Sequence, residues 1–496
     1  MPARPGRPTR PAPAISPVVV LVVLALVPAL LLWSVWRWAD GRVIAEDAVP
    51  PPETPVALPE PAKALPTGLL SFRRSAGELS RRLNLTAFET AVQPLLQQVG
   101  DGSCAMVSLD GELVGARNPD TVVIPASSLK ILVAAVAVDV LGEDFTYTTR
   151  VVGPAPEGGV VAGDVYLVGG GDPVLAGDWY ATSNLDRFPA FNTTSLDELA
   201  RRVAAAGVTE IRGAVRGDGS RYDDEMYVDS WGGGVAGLEA GPYDALLVND
   251  SRVLGDDQRA ADPNEAGARE LVRLLSEQGV AVTGGVGTGT APTDATELAA
   301  IDSAPLPAII EEMLTNSDNN TAELMVKEIG LVATGTGTRP AGLDAIAATI
   351  ADWGVDTTGL QLGDGSGLSL DNRLTCTTLL GVLQHAGFDG PVGQGLAIAG
   401  QTGTLIDIFG DTPMAGRLRG KTGTLNNPPF NADPPAVKAL AGYVPVDGGG
   451  AIEYVLVLNG PTISDQREYR PVWAEHVNAL TSFPAGAGPA QLGPLR

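Results

Sequence analysis

Apolar residues fill positions 131–138 without a polar interruption, directly after the segment 125–130. Pro125 and Ser127 are residue types that favour the start of a helix, and no glycine or proline follows until Gly142. A helix that is apolar on every side must be enclosed by other elements. The pattern therefore predicts a buried helix with Ser127 in its first turn.

Other periodic segments predict both antiparallel strands and packed helices. Alternating apolar residues flank an Asp110-Gly111 turn, which predicts a β-hairpin. A second hairpin is predicted around the glycine run 448–450 near the end of the chain. Helical periodicity is present in four further segments, residues 79–99, 263–279, 306–314 and 472–482.

Between residues 147 and 259 the pattern changes to short strand-like runs separated by glycine-rich turns. One helix is predicted there, over residues 196–206, with Ser195 as its N-terminal cap. We interpret this segment as a separate, mostly β domain inserted into a catalytic domain. The two parts of that catalytic domain are residues 68–146 and 260–484.

The N-terminal segment has the pattern of a membrane anchor. Residues 1–17 are basic and proline-rich, and residues 18–38 are almost wholly apolar and end in tryptophans and Arg37. We expect a single-pass anchor with a cytoplasmic N-terminus; secretion after signal cleavage and a buried soluble helix are the alternatives. Residues 39–67 predict a proline-rich stalk that holds the body on the extracytoplasmic face. Residues 485–496 predict a disordered tail.

Composition and charge exclude several classes of function. The 496-residue chain has a formal net charge of -25, which argues against nucleic acids and anionic membrane surfaces as partners. Its two histidines, His385 and His476, lie in helix-like segments outside any ligand pattern. No Cys-x-x-Cys or His-x-x-x-His pair is present in the sequence. We therefore expect neither a metal ion nor another cofactor.

Lys130 follows Ser127 by three residues, so on a helix the two side chains share one face and lie within hydrogen-bond reach. An uncharged lysine amine accepts a proton from a serine hydroxyl, whereas an arginine stays charged. The chain contains five lysines, and among them Lys130 alone has a serine three positions before it. The pair favours acyl-serine chemistry, although this spacing on its own also arises by chance.

Two further motifs follow, Ser-Asp-Asn at 317–319 after a predicted helix and Lys-Thr-Gly-Thr at 421–424 after a strand-like segment. Ser-x-x-Lys, Ser-Asp-Asn and Lys-Thr-Gly together are the motifs of class A β-lactamases and penicillin-binding proteins. With the stretches 168–173 and 365–373, the chain resembles a class C low-molecular-mass penicillin-binding protein, a D-alanyl-D-alanine carboxypeptidase/endopeptidase. The resemblance spans roughly residues 80–480.

The resemblance implies an α/β (α+β) fold of the penicillin-binding/β-lactamase type, in which helices flank an antiparallel sheet. The long gap between Ser127 and Ser317 fits the inserted domain of that family. The implied partners are peptidoglycan stem peptides that end in D-Ala-D-Ala, with β-lactams as covalent inhibitors. DD-endopeptidase activity on cross-linked peptides stays open.

The resemblance also implies a task for each motif residue. Ser127 attacks the carbonyl of the penultimate D-alanine, Lys130 accepts its proton, and Ser317 relays a proton to the departing amine. Asn319 orients the substrate amide or Lys130. The expected substrate-binding residues are those of the strand motif, Lys421, Thr422, Gly423 and Thr424.

The resemblance, together with the need for two donors near one oxygen, implies that the main-chain NH groups of Ser127 and Thr424 form the oxyanion hole. Lys421 is expected to bind the substrate carboxylate and, as a second cation, to lower the pKa of Lys130. A near copy of the strand motif begins at Gln401, but glutamine lacks this charge, so we predict a loop there.

Two other functions remain compatible with the motifs. The first is a wall-tethered scaffold or β-lactam sink with slow turnover, and the second is a β-lactamase or esterase on the same fold. Intact motif residues favour the carboxypeptidase.

Cys104 and Cys376 are the two cysteines of the chain. An extracytoplasmic location permits one disulfide between them. Two buried free thiols are the alternative, and the sequence does not decide between the two states.

Overall fold

The computed structural model describes residues 26–38, 72–232, 235–256, 258–426, 435–447, 450–484, 486 and 488. The chain divides into two units after Ser71. In the first unit a helix is described over residues 26–38 (α1). No helix in the described ranges has both the length and the apolar character that crossing a membrane requires. The rest of the predicted anchor, residues 1–17 and the predicted stalk at 39–67 lie outside the described residues, as does most of the predicted tail.

The helices of the second unit are numbered in chain order. They are α2 (Phe72–Gln98), α3 (Lys130–Leu141), α4 (Leu196–Ala205), α5 (Pro263–Glu277), α6 (Leu306–Asn316), α7 (Asn319–Thr334), α8 (Arg339–Asp352), α9 (Cys376–Ala386), α10 (Pro391–Gly395) and α11 (Gln466–Thr481). The four helices predicted from periodicity correspond to α2, α5, α6 and α11.

The strands are numbered in the same way. They are β1 (Cys104–Leu109), β2 (Glu112–Arg117), β3 (Thr148–Gly153), β4 (Val160–Val161), β5 (Val165–Val168), β6 (Leu175–Ala176), β7 (Thr194–Ser195), β8 (Glu210–Ile211), β9 (Val215–Asp218), β10 (Ala281–Val282), β11 (Val286–Thr288), β12 (Thr296–Asp302), β13 (Ala397–Ile398), β14 (Arg419–Leu425), β15 (Ala436–Pro445) and β16 (Ala451–Gly460). The predicted hairpins are β1–β2 and β15–β16.

A six-stranded antiparallel sheet in the order β13-β14-β15-β16-β1-β2 forms the centre of the catalytic body. Its strands β1, β15 and β16 are buried on both faces, because alternate residues of each strand enter different cores. On β16, Val455 and Val457 enter one core and Tyr454 and Leu456 enter the other. This two-sided burial explains why β16 is apolar along most of its length.

Helices cover both faces of this sheet. The helices α3, α6, α7, α8 and α9 pack in the first core, and α2 and α11 pack in the second. The helix α3 is buried from Lys130 through Ala137, as its apolar sequence predicts. The architecture is therefore the expected antiparallel sheet flanked by helices.

The inserted module extends from β3 to β12 and has its own core. Its main sheet has the order β11-β9-β5-β3-β12 and combines parallel with antiparallel pairs, and α4 and α5 pack against the module's strands. The predicted boundary at residue 259 was wrong, since α5 and β12 belong to this module. Periodicity identified α5 as a helix, but periodicity does not show which core a helix joins.

A disulfide joins Cys104 on β1 to Cys376 at the start of α9, with their Cα atoms 6.0 Å apart. Both residues are fully buried in the first core. The bridge therefore ties the central sheet to a helix that covers it, across 272 residues of sequence.

Candidate active site

Ser127 lies in a 3-10 turn, Ala126–Leu129, that leads directly into α3. The sequence predicted Ser127 in the first turn of the α-helix itself, whereas Ser127 lies in the 3-10 turn just before that helix. Asn459 on β16 fixes the chain before this turn, because its side chain accepts a hydrogen bond from the Ile124 NH at 2.7 Å and donates one to the Ile124 carbonyl at 3.0 Å. The half-buried Ser127 hydroxyl is therefore held on a rigid support at the edge of a groove.

Lys130 is fully buried and directs its amine at Ser127. The Nζ atom lies 3.1 Å from Ser127 Oγ, 2.7 Å from Asn319 Oδ1 and 2.6 Å from the Ser366 carbonyl oxygen. A neutral amine has two N–H donors and one lone pair. Asn319 and Ser366 can take both donors, which leaves the lone pair facing the Ser127 hydroxyl.

Burial lowers the pKa of Lys130 from 10.5 to about 8, because a charged amine loses its hydration in the interior. Negative charges on Asp364, Asp318 and Glu323 oppose this shift. The expected contribution of Lys421 is absent from these causes. The pKa of Lys421 is lowered well below 10.5, first by burial and then by the charge of Lys130.

The Ser-Asp-Asn motif forms the sharp turn between α6 and α7. Ser317 ends α6 with φ 66° and ψ 35°, in the left-handed region that L-residues avoid. The Asp318 side chain caps α7 by accepting a hydrogen bond from the Thr321 NH at 2.6 Å. Asn319 then begins α7, and its Nδ2 donates to the Glu239 carbonyl at 2.9 Å. This turn brings Ser317 and Asn319 to the same groove as Ser127.

The Lys-Thr-Gly-Thr motif lies on β14, as predicted. The fully buried Lys421 donates hydrogen bonds from Nζ to Ser317 Oγ at 2.7 Å and to the Thr422 carbonyl at 2.9 Å. Gly423 lets the strand approach the serine turn, since an added Cβ would lie 2.7 Å from the Pro125 carbonyl oxygen. Thr422 and Thr424 line the groove.

Beyond Gly420, the edge of β14 that faces away from β15 pairs with no strand among the described residues. The short strand β13 pairs with Arg419 and Gly420, and its pairing ends there. The following residues of β14 pair with β15 on the opposite side. An extended substrate can add to such an edge through main-chain hydrogen bonds.

Three residues that support Lys130 were not assigned from the sequence. Glu323 on α7 accepts hydrogen bonds from the Gly365 and Ser366 NH groups, the latter at 2.7 Å, and so orients the Ser366 carbonyl toward Lys130. Asp364 accepts from the NH groups of Gly367 and Ser369 in the same loop. Burial, followed by the charge of Asp364, raises the pKa of Glu323 to about 7. The sequence signal that could have identified Glu323 was a glutamate among the apolar residues of a predicted helix.

The remaining sequence-based expectations concern residues away from this cluster. Gln401 is exposed and precedes a 3-10 turn, Gly403–Leu405, so the copied motif forms a loop. His385 stacks on Trp353, and His476 is fully buried against Tyr454. Among the described residues, no group of three His, Cys, Asp or Glu side chains is arranged to hold a metal ion.

The motif residues 127, 130, 317, 319 and 421 thus converge on one groove, and the sequence of most of the second unit matches a known family. The model of the D-Ala-D-Ala carboxypeptidase 3 (S13) family matches residues 89–256 and 245–479. The chain belongs to the D-Ala-D-Ala carboxypeptidase 3 (S13) family. It is therefore a serine carboxypeptidase, a hydrolase.

Related carboxypeptidases match most of the chain. A carboxypeptidase of Mycobacterium tuberculosis is 30% identical over 83% of this chain and 85% of its own length. A D-alanyl-D-alanine carboxypeptidase of Actinomadura sp. is 29% identical over 74% of this chain and 79% of its own length. Penicillin-binding protein 4 of Haemophilus influenzae shares the fold, with a TM-score of 0.63, 20% identity, and coverage of 79% of this chain and 98% of that one.

Proposed function

We propose that this S13 enzyme removes the C-terminal D-alanine from peptidoglycan stem peptides that end in D-Ala-D-Ala, through an acyl-serine intermediate on Ser127. The observation that carries the proposal is the contact between Lys130 Nζ and Ser127 Oγ at 3.1 Å. The other two hydrogen-bond partners of this amine, Asn319 Oδ1 and the Ser366 carbonyl oxygen, are both acceptors. This arrangement suits a neutral base beside a nucleophile.

Acylation follows from these contacts. Ser127 Oγ bonds to the carbonyl carbon of the penultimate D-alanine while its proton passes to Lys130 Nζ. The main-chain NH groups of Ser127 and Thr424 stabilise the negative oxygen of the tetrahedral intermediate. Collapse of the intermediate breaks the C–N bond and leaves an ester on Ser127.

The departing D-alanine needs a proton on its amine. We propose that the proton taken up by Lys130 reaches this amine through Ser317, because the Ser317 hydroxyl lies in the groove and contacts the buried Lys421 amine at 2.7 Å. Water then hydrolyses the ester, releases the shortened peptide and restores the Ser127 hydroxyl. Cross-linked peptides present the same D-alanine carbonyl, which makes DD-endopeptidase activity a related expectation.

A β-lactam contains a strained amide that the same serine can open, which leaves a covalent adduct on Ser127. Penicillin-binding protein 4 of Haemophilus influenzae, which shares the fold, was solved in complex with a β-lactam. We therefore propose β-lactams as covalent inhibitors of this enzyme. The two other candidate functions differ from the carboxypeptidase in the rate of deacylation. A scaffold releases the bound acyl group slowly, and a β-lactamase or esterase releases it fast.

One experiment separates these functions. The full chain is incubated with a D-Ala-D-Ala peptide and, separately, with a fluorescent penicillin. We expect free D-alanine from the peptide and a persistent penicillin adduct. An adduct without peptide turnover would support the scaffold, and rapid loss of the adduct would support a β-lactamase.

We also propose that the catalytic body lies on the extracytoplasmic face, held by an N-terminal anchor or secreted after cleavage of that segment. The Cys104–Cys376 disulfide supports an oxidising compartment, and the proposed substrate is part of the cell wall. Protease digestion of intact cells tests the location. If the catalytic body resisted the protease in intact cells and was digested only after lysis, the extracytoplasmic location would be wrong.

A further inference from the structure

A segment of the inserted module packs on the catalytic body rather than on the core of the module. This crossing segment, described over residues 219–232 and 235–248, follows β9 in the chain. Its Trp231 and Tyr243 lie in a small separate core that also contains Leu324 of α7. The crossing segment therefore connects the inserted module to the helix that begins at the Ser-Asp-Asn motif.

Polar contacts fix the crossing segment on α7 and α8. Arg221 pairs with the fully buried Glu328 at 2.6 Å, and Lys327 Nζ donates to the Glu225 carbonyl at 2.6 Å. The Glu225 carboxylate in turn accepts a hydrogen bond from Arg339 at 2.7 Å. Because two of these partners are buried charged groups, the position of the segment on the two helices is well defined.

The crossing segment orients one of the two acceptors of the Lys130 amine. Asn319 Nδ2 donates to the Glu239 carbonyl at 2.9 Å, and Asn319 Oδ1 accepts from Lys130 Nζ at 2.7 Å. A side-chain amide has an oxygen on one side and an NH2 group on the other, so the Glu239 carbonyl selects the orientation in which the oxygen faces the amine. The next residue, Asn320, accepts a hydrogen bond from the Gly241 NH at 2.7 Å and holds the same part of the segment.

The second acceptor, the Ser366 carbonyl, belongs to a loop that folds around the carboxylate of Asp364. Asp364 is fully buried and accepts hydrogen bonds from the Gly367 and Ser369 NH groups. From the crossing segment, Trp231 Nε1 donates to Asp364 Oδ2 at 2.8 Å. Trp231 thus supplies a donor from outside the loop to the group that determines the shape of the loop.

Ser230 makes a second contact between the crossing segment and this loop. Ser230 Oγ and Ser369 Oγ share a hydrogen bond of 2.7 Å. The Ser369 NH donates at 2.6 Å to Asp364 Oδ2, the same oxygen that accepts from Trp231. Two consecutive residues of the crossing segment therefore hold adjoining parts of the Asp364 loop.

The protonation of Lys130 depends on how closely this loop covers the amine. Burial is the cause that lowers its pKa to about 8, while the charges of Asp364, Asp318 and Glu323 raise it. The charge of Lys130 acts in turn on Lys421. A looser loop would admit water to the amine, and the pKa would then return toward 10.5.

We infer that Trp231 is a positioning residue, which holds the Lys130 amine in its reactive geometry through the buried carboxylate of Asp364. Ser230 supports the same loop. The inference rests on the proposed function, in which this amine activates Ser127, and it gives the inserted module a part in that step.

Trp231 acts on the amine and not on the substrate. As far as the structure describes the lining of the groove, the crossing segment contributes Leu238 and Glu239 to it, and Trp231 lies outside it. A change at Trp231 should therefore alter the rate of acylation and leave the binding of the peptide nearly unchanged.

The test compares three variants of the full chain with the parent enzyme. Trp231→Phe removes the indole NH and keeps an aromatic ring beside Tyr243. Ser230→Ala removes a hydroxyl from an exposed residue. The matched control is Trp179→Phe, because Trp179 Nε1 donates to the buried Glu270 carboxylate within the inserted module, also at 2.8 Å.

Single-turnover labelling with a fluorescent penicillin between pH 6 and pH 10 gives the midpoint of the acylation profile. In Trp231→Phe the midpoint should rise by about one pH unit, so labelling should fall about tenfold at pH 7 and stay within about threefold of the parent at pH 10. Ser230→Ala should shift the midpoint in the same direction by a smaller amount, and Trp179→Phe should keep the midpoint of the parent. The KM for a D-Ala-D-Ala peptide, measured by D-alanine release, should change by less than about threefold in each variant.

An equal loss of labelling at every pH, with an unchanged midpoint, is the result of a smaller folded fraction. That result in Trp231→Phe would overturn the inference and leave the proposed function in place. A shift in Trp179→Phe as large as that in Trp231→Phe would also overturn it, because the effect would not depend on Asp364.

If Trp231→Phe does not fold, the midpoint of Ser230→Ala decides, and an unshifted midpoint there would contradict the inference. Failure of the parent enzyme both to form the penicillin adduct and to release D-alanine would instead overturn the proposed function, and the inference with it.

Discussion

The amine of Lys130 lies 3.1 Å from the hydroxyl of Ser127, and burial lowers the pKa of this amine to about 8. Both facts follow from the position of Lys130 at the start of the buried helix α3, one turn after the serine. A lysine in this position loses its charge more readily than an exposed one.

We predict that acylation of the enzyme rises with pH up to about 8. The reactive form of Lys130 is the neutral amine, so the rate should increase nearly tenfold per pH unit below this pKa and level off above it. Asp364, Asp318 and Glu323 face Lys130 and oppose the shift. Protonation of Glu323, with its pKa of about 7, removes one of these charges at lower pH, so the profile should be shallower below pH 7. Single-turnover labelling with a fluorescent penicillin at each pH measures the profile.

Lys130→Arg is the matched variant for this profile. Arginine keeps a positive charge but does not deprotonate, so labelling should fall by at least about 1000-fold at every pH. A flat profile between pH 6 and 8, or substantial labelling of the arginine variant, would remove Lys130 as the base.

Lys421→Gln converts the strand motif into its copy at Gln401 and removes the Nζ contact to Ser317. We expect kcat/KM on D-Ala-D-Ala peptides to fall about 100-fold, equivalent to roughly 3 kcal/mol of transition-state stabilisation. D-alanine release from the peptide measures this.

Gln401→Ala is the control for that variant. Gln401 is exposed in a loop, so the change should alter kcat/KM by less than about threefold. Near-normal activity of Lys421→Gln together with loss of activity in Gln401→Ala would show that the substrate strand has been assigned to the wrong motif.

Replacing both Cys104 and Cys376 by alanine should destabilise the catalytic body. The bridge closes a loop with a sequence separation of 272, for which the chain-entropy relation gives up to about 6 kcal/mol of stabilisation. We expect a lower midpoint in chemical denaturation and little change in kcat, since neither sulfur contacts the groove. Two alkylatable thiols in the unreduced parent protein would show that the bridge does not form.

Much of the architecture was predictable from local patterns. The serine helix, the β1–β2 hairpin and the final hairpin have strong apolar periodicity, and their positions were close to those observed. The three motifs predicted a shared site because together, in this order, they resemble the motif set of a known family, and the fold brings Ser127, Ser317 and Lys421 together.

Other features depend on tertiary contacts that no local pattern carries. The support of Lys130 by the Ser366 carbonyl, which Glu323 orients, joins three separate segments of the chain. Lys421 was expected to supply part of the lowering of the Lys130 pKa, but the cause that lowers it is burial, which depends on the packed core. The inserted module ended later than predicted for the same reason.

The central claim is that Ser127 is the nucleophile, and the most direct measurement is the intact mass of the full chain after reaction with penicillin, followed by peptide mapping. We predict one added penicillin mass, located on Ser127, and complete loss of both the adduct and D-alanine release in Ser127→Ala. The thermal transition of that variant should be nearly unchanged, because the half-buried Ser127 contributes little to the core. An adduct that persists in Ser127→Ala, or that maps to another residue, would contradict the account.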